Sequence, residues 1–190
     1  MAEKNVNLRE ALIIAGINEI NTHGVGAFSI RRVAESCGVS CAAPYRHFES
    51  KRDLIAAIID YVNDQWAERQ EEILAQCGSA LREQIISISL GYIRFLMERP
   101  SYRSVLMLKD EEFDNLYHKK RTQFGSLSQS LEAQLQATSG LDEHTWKRKL
   151  MVVRSLIFGA VFLFDAGEFE FNETTMEYLR FTINREFEIL

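Results

Sequence analysis

Apolar side chains recur at helical spacing along almost the whole chain, and no segment alternates apolar with polar residues as a half-buried strand would. In the first segment Leu8, Leu12, Ile13, Gly16, Ile17 and Ile20 share one face. Asn7 and Glu10 have capping-box spacing at its start, and Gly24 stops it. In the last, Met176, Leu179, Ile183, Phe187 and Leu190 step by 3, 4, 4 and 3 residues in one stripe. Breaks fall at Gly38, Cys77-Gly78-Ser79, Arg99-Pro100-Ser101, Ser139-Gly140 and Ala166-Gly167. The intervals predict further helices over 30–37, 40–48, 51–76, 80–98, 101–109, 111–137 and 142–166. The expected fold class is all-α with about nine helices. Two prolines and ten glycines in 190 residues leave little room for a many-turned β fold.

Charge narrows the function. With 22 basic and 27 acidic side chains the net charge is −5, so the chain does not hold polyanions by overall basicity. The balance is uneven, since residues 1–53 carry seven basic and six acidic residues. Within 29–52, Arg31, Arg32, Arg46, Lys51 and Arg52 face only Glu35 and Glu49. Cys37, Cys41 and Cys77 form an odd set without a CxxC pair, and residues 1–10 lack an apolar leader, which predicts a reduced, cytoplasmic protein. The most apolar run, 150–164, is shorter than a membrane span and is interrupted by Arg154, so a buried or interface helix and no membrane partner are expected. The chain lacks HExxH, GxSxG and a phosphate-cradling glycine loop, and the His118–Asp114 spacing fits a surface pair better than a metal site. We therefore expect no enzyme, no metal and no cofactor.

Residues 29–48, SIRRVAESCGVSCAAPYRHF, have the layout of a helix-turn-helix. Ala34 is small where two helices would cross, Gly38 suits the positive φ of the turn, Val39 can plug the gap, and Ser40 can cap the second helix. Tyr45, Arg46, His47 and Phe48 lead into Ser50, Lys51, Asp53 and Leu54, the pattern YxHFxSKxxL, with Ser50 and Asp53 forming another capping box. Over residues 8–60 the chain resembles the DNA-binding region of the tetracycline-repressor (TetR) family of bacterial transcriptional regulators.

That resemblance implies a dimeric one-component regulator, a repressor, with a helix-turn-helix DNA-binding domain over 1–53 and an effector-binding and dimerisation domain over 54–190. It assigns phosphate contacts to Tyr45 and His47, and a base-reading position to Arg31. Ser29 and Lys51 stand at helix starts, where hydroxyl, cation and dipole suit a phosphate. Ser40, Cys41, Ala42 and Ala43 fall at the base-facing start of the recognition helix, with Arg46 one turn on; Phe48 is expected to pack between helices. Two features depart from the pattern. Cys41, Ala42 and Ala43 bring no strong hydrogen-bonding side chain, and Pro44 removes an intrahelical bond, so a late or tight helix start is expected. The polar-poor CAAP start also motivates an alternative, a helix-turn-helix-derived interaction adaptor that no longer reads DNA.

The second domain has two implied tasks. For dimerisation, Val153 and Ile157 on the 148–164 helix, with Leu179, Ile183 and Phe187 on the last, would form a four-helix bundle with their symmetry mates. For a small hydrophobic or aromatic effector, Trp66, Tyr92, Phe95, Met107, Tyr117, Phe124, Phe158 and Phe162 are the candidate lining, with Arg94, Tyr117 and His118 as polar groups. The implied partners are a double-stranded DNA operator, the effector and a second copy of the chain.

Overall fold

The computed structural model describes residues 7–106 and 129–187. These form eight α-helices: α1 (Leu8–His23), α2 (Ile30–Ser36), α3 (Lys51–Gln76), α4 (Leu81–Glu98), α5 (Pro100–Leu106), α6 (Gln129–Ser139), α7 (Glu143–Asp165) and α8 (Glu173–Glu186). A single 3-10 turn, Pro44–Arg46, lies between α2 and α3. No strand occurs among the described residues. Most of the expected 111–137 helix lies outside them.

Local chemistry sets the helix ends. Asn7 accepts the Arg9 N–H, Ser29 accepts the Arg32 N–H, and Asp142 and Asn172 accept the Thr145 and Thr175 N–H groups. Ser50 Oγ accepts the Asp53 N–H at 3.2 Å while Asp53 accepts the Glu49 N–H, not that of Ser50, at 3.0 Å, so two side chains cap the start of α3 without closing the expected capping box. α7 closes with Gly167 at φ 72° and the Glu168 N–H on the Leu163 carbonyl.

The chain divides into two compact units. The first runs to Asp64 and takes in α5; the second holds 65–98 and α6 to α8. Thus α3 gives its first half to one unit and its second half to the other. In the first unit Leu12, Ile13, Ile17 and Ile20 of α1 join Phe28, Val33, Ala34 and Phe48, and Leu54, Ile55, Ile58 and Ile59 of α3, all buried. A Cβ on Gly16 would stand 2.5 Å from Ile58 Cδ1, so glycine lets α1 and α3 approach closely. In the second unit Ile85, Ile86, Ile88 and Ile93 of α4 form a core with Trp146, Leu150, Val153 and Ile157 of α7 and Met176 and Ile183 of α8. Arg94 of α4 forks onto both oxygens of Glu173 at 3.0 and 2.9 Å, and Arg180 of α8 reaches Glu83 at 3.0 Å. No described helix is long and apolar enough to cross a membrane.

Candidate nucleic-acid interface

The turn after α2 has the expected form. Gly38 adopts φ 67°, the Val39 N–H reaches back to the Ala34 carbonyl at 3.0 Å, and the Gly38 N–H to Glu35 at 3.1 Å, a Schellman closure. Ala34 is fully buried.

The helix expected over 40–48 is replaced by a tighter element. Ala43 N–H donates to Ser40, Arg46 N–H to Ala43 and His47 N–H to Pro44, each spanning three residues, and regular helix is confined to the 3-10 turn. Pro44 has no N–H to return to Ser40, so the four-residue ladder cannot begin there. Ser40 consequently makes no side-chain cap to this turn. The outcome is a sorted surface. Pro44 and Phe48 are buried, whereas Ser40, Cys41, Ala42, Tyr45, Arg46 and His47 are exposed and Ala43 is half-buried. Tyr45 is 58% exposed, although an aromatic serving the core would turn inward. Lys51 is half-buried in the first turn of α3, and Ser29 is half-buried at the α2 cap.

One residue outside the expected set organises the start of α2. Glu19 of α1 is only 7% exposed and accepts the Ser29 N–H at 3.1 Å and Arg32 Nε at 2.9 Å. Arg32 Nη2 donates to Glu19 and to the Ala27 carbonyl, and His23 Nδ1 lies 3.1 Å from the other Glu19 oxygen. Burial pushes the Glu19 carboxyl up, but the Arg32 and Ser29 hydrogen bonds and the charges of Arg32 and His23 hold it below its ordinary value. Arg32 is therefore committed to the fold. Arg31, by contrast, carries a 2.8 Å pair with Glu35 between two largely exposed side chains, an interaction weak enough to be exchanged for another partner. Position 19 lies on the apolar face of α1 with Leu12, Gly16 and Ile20, and a charge on such a face is the signal that could have singled it out.

In the second unit the structure gathers part of the expected effector lining. Trp66, Tyr92 and Phe95 are buried together, with ring centroids 4.7 Å apart for Trp66–Tyr92 and 5.3 Å for Trp66–Phe95; Phe158 stands edge-on to Tyr92 at 6.4 Å. Phe162 lies elsewhere, 66% exposed on α7. Arg94 is engaged by Glu173. Met107, Tyr117, His118 and Phe124 lie outside the described residues.

The residues expected to meet a second copy need correcting. Val153, Ile157, Ile183 and Phe187 are at most 1% exposed within this one chain, so they serve its own core; Leu179 is half-buried. The apolar surface on offer is Phe162 of α7 with Tyr178 and Phe181 of α8, each at least 63% exposed. α7 is apolar on both sides, and periodicity alone cannot say which side turns inward. Lys149 is a second feature the pattern hides: buried at 5%, it donates to the Glu186 carbonyl at the end of α8 and lies 5.4 Å from the Phe187 ring centre.

Comparison with known proteins places this geometry. Residues 12–58 match the family described as "Bacterial regulatory proteins, tetR family". The nucleoid occlusion factor SlmA of Vibrio campbellii is 27% identical over 133 residues, 70% of this chain and 66% of that protein. Among solved structures, a TetR family transcription regulator from Marinobacter aquaeolei VT8 shares the fold with a TM-score of 0.65 and 21% identity, covering 95% of this chain and 94% of its own. A putative tetR family transcription regulator from Shewanella sp. PV-4 reaches a TM-score of 0.76 at 15% identity, with 94% and 96% covered. Residues 12–58 thus match the N-terminal region of the tetR family of bacterial regulatory proteins, and the whole chain shares its fold with solved regulators of that family.

Proposed function

We propose that the protein is a one-component transcriptional repressor. As a homodimer it binds a near-palindromic operator through residues 1–53, and a small hydrophobic or aromatic effector in residues 54–190 releases it. The observation that carries this reading is the sorting at 44–48, where Tyr45, Arg46 and His47 face solvent while Pro44 and Phe48 face the core. A short polar surface held by a buried scaffold is what a duplex needs: hydroxyl, cation and imidazole for phosphates, and a guanidinium for a base edge. Ser29, Arg31 and Lys51 extend it. Ser40, Cys41, Ala42 and Ala43 offer small contacts of the kind that suit a thymine methyl.

The exposed apolar residues of α7 and α8 support pairing of two copies, which a two-fold operator requires. The aromatic cluster of Trp66, Tyr92, Phe95 and Phe158 supports an effector site in the second unit. α3 is a single unbroken helix whose two halves belong to the two units, and it is the element through which an effector acts. The effector needs only a differential affinity between states of about 1–3 kcal/mol to lower operator binding 5- to 150-fold.

Binding to duplex DNA as a function of salt, followed by anisotropy, tests the reading. Lys51→Ala and His47→Ala should weaken binding to every duplex, and Lys51→Ala should flatten the log–log salt slope by about 1. Arg46→Ala and Arg31→Ala should instead relax sequence preference. Loss of neither affinity nor preference in all four variants would refute the assigned surface. A folded dimer with no salt-dependent DNA binding would favour the adaptor, for which the shortened recognition element is the motivating feature.

A further inference from the structure

Arg154 breaks the most apolar run of the chain, and the DNA-binding account leaves it without a task. It sits in the middle of α7, 41% exposed, and one guanidinium nitrogen donates to Glu132 of α6 at 2.9 Å. Beside it opens a cavity of about 580 Å³ lined by Glu132, Lys147, Leu150, Met151, Arg154 and Phe158. That volume lies within the 300–1,000 Å³ usual for small-molecule sites.

The chemistry around Arg154 is rich in donors. Phe158, on the cavity wall, stands against Tyr92, and Tyr92 packs on Trp66. The Trp66 indole N–H is buried without an acceptor. Burial pushes the Tyr92 hydroxyl far above its ordinary value, against the opposing pull of the Arg154 charge, so it stays protonated. Lys147 is occupied by Glu143 on the solvent side. The acceptor that meets Arg154 is Glu132, 30% exposed and able to return to water at little cost.

We infer that the effector is an organic monoacid whose carboxylate replaces Glu132 on Arg154 while its apolar body lies on Leu150, Met151 and Phe158. This rests on the effector-released regulator reading above. The planar guanidinium matches a planar carboxylate in two parallel hydrogen bonds. A neutral ligand would leave the Arg154–Glu132 pair in place and gain nothing from it. A dianion would bring more charge than the single cation set free by the exchange can balance. Exchanging one carboxylate for another is nearly balanced electrostatically, so the apolar body supplies the net affinity. The same exchange cuts the hydrogen bond joining α6 to α7, which gives the ligand a structural difference to act upon.

Calorimetry on the full chain tests the inference with paired probes: benzoate, phenylacetate, 4-phenylbutyrate and octanoate, each against its primary amide. At least one acid should bind, and its amide should bind about tenfold more weakly or not at all. Glu132→Gln removes the competing carboxylate and should tighten that acid several-fold. Arg154→Gln should weaken it at least about tenfold, and Arg154→Lys, which keeps the charge but not the fork, should fall between. Circular dichroism confirms that each variant folds. The inference is overturned if no acid binds wild type or Glu132→Gln, if amides bind as well as acids, or if Arg154→Gln retains affinity. Operator release by a neutral compound in Arg154→Gln would leave the regulator reading intact and this inference refuted; absence of any operator binding would refute the regulator reading itself.

Discussion

Replacing Glu19 separates the scaffold of the DNA-binding segment from its surface. In Glu19→Gln the shape and one carbonyl oxygen for the Ser29 N–H remain, but the charge facing Arg32 and His23 is gone. A hydrogen bond to a charged partner contributes about 1.5–3 kcal/mol and a neutral one about 0.5–1.5 kcal/mol. Arg32 is 43% exposed, so water recovers much of the freed guanidinium. The expected loss is therefore about 1 kcal/mol. Glu19→Ala also strands the half-buried Ser29 N–H and should lose about 2–3 kcal/mol.

The pH dependence follows from the depressed folded-state value of Glu19. Burial alone would raise it; the Arg32 and Ser29 bonds and the neighbouring charges outweigh that. A depressed carboxyl stabilises fully above its unfolded value, about 4.3, and the contribution is lost as pH falls through the folded value. The wild-type advantage over Glu19→Gln should hold at pH 7 and shrink in acid. Trp66 and Trp146 both lie in the second unit and report little on α1 and α2. The assay is accordingly amide hydrogen exchange of residues 8–36, with urea unfolding by circular dichroism alongside. Equal protection of both proteins at pH 7, or a difference that persists unchanged at pH 3, would refute the reasoning.

Further substitutions probe other levels of the structure. Ile58→Ala removes a fully buried side chain from the α1–α3 contact and should cost about 2–5 kcal/mol in urea unfolding. Gly38→Ala forces a Cβ into φ 67° and should cost about 1 kcal/mol, although no atom lies within 4 Å to clash with it. Phe162→Glu with Phe181→Glu places charge on the exposed face of α7 and α8; sedimentation should shift from dimer to monomer with helicity unchanged.

Much of the local structure was legible because its causes are local. The Ser29 cap, the positive φ at Gly38, the Ser50 cap on the Asp53 N–H and the full span of α3 each follow from a few neighbouring residues. Pro44 marks an obstacle to a helix in the sequence itself, yet its consequence, a 3-10 turn in place of a helix of eight or nine residues, depends on the whole segment. What stayed hidden was long-range. Glu19 meets Arg32 thirteen positions away, and Arg154 meets Glu132 across two helices, pairings that no periodicity encodes. In α7 the inward Val153 and Ile157 and the outward Met151 and Phe162 are equally apolar, so only the packed structure separates core from surface.

The central proposal is that this chain acts as a dimeric, sequence-specific DNA-binding regulator. Selection from a randomised duplex library at moderate salt tests it most directly. The account predicts enrichment of an inverted repeat with half-sites about one helical turn apart, or a multiple of it, bound by an even number of chains. A folded protein that enriches no sequence, or one that enriches an unrepeated site bound by a single chain, would contradict it.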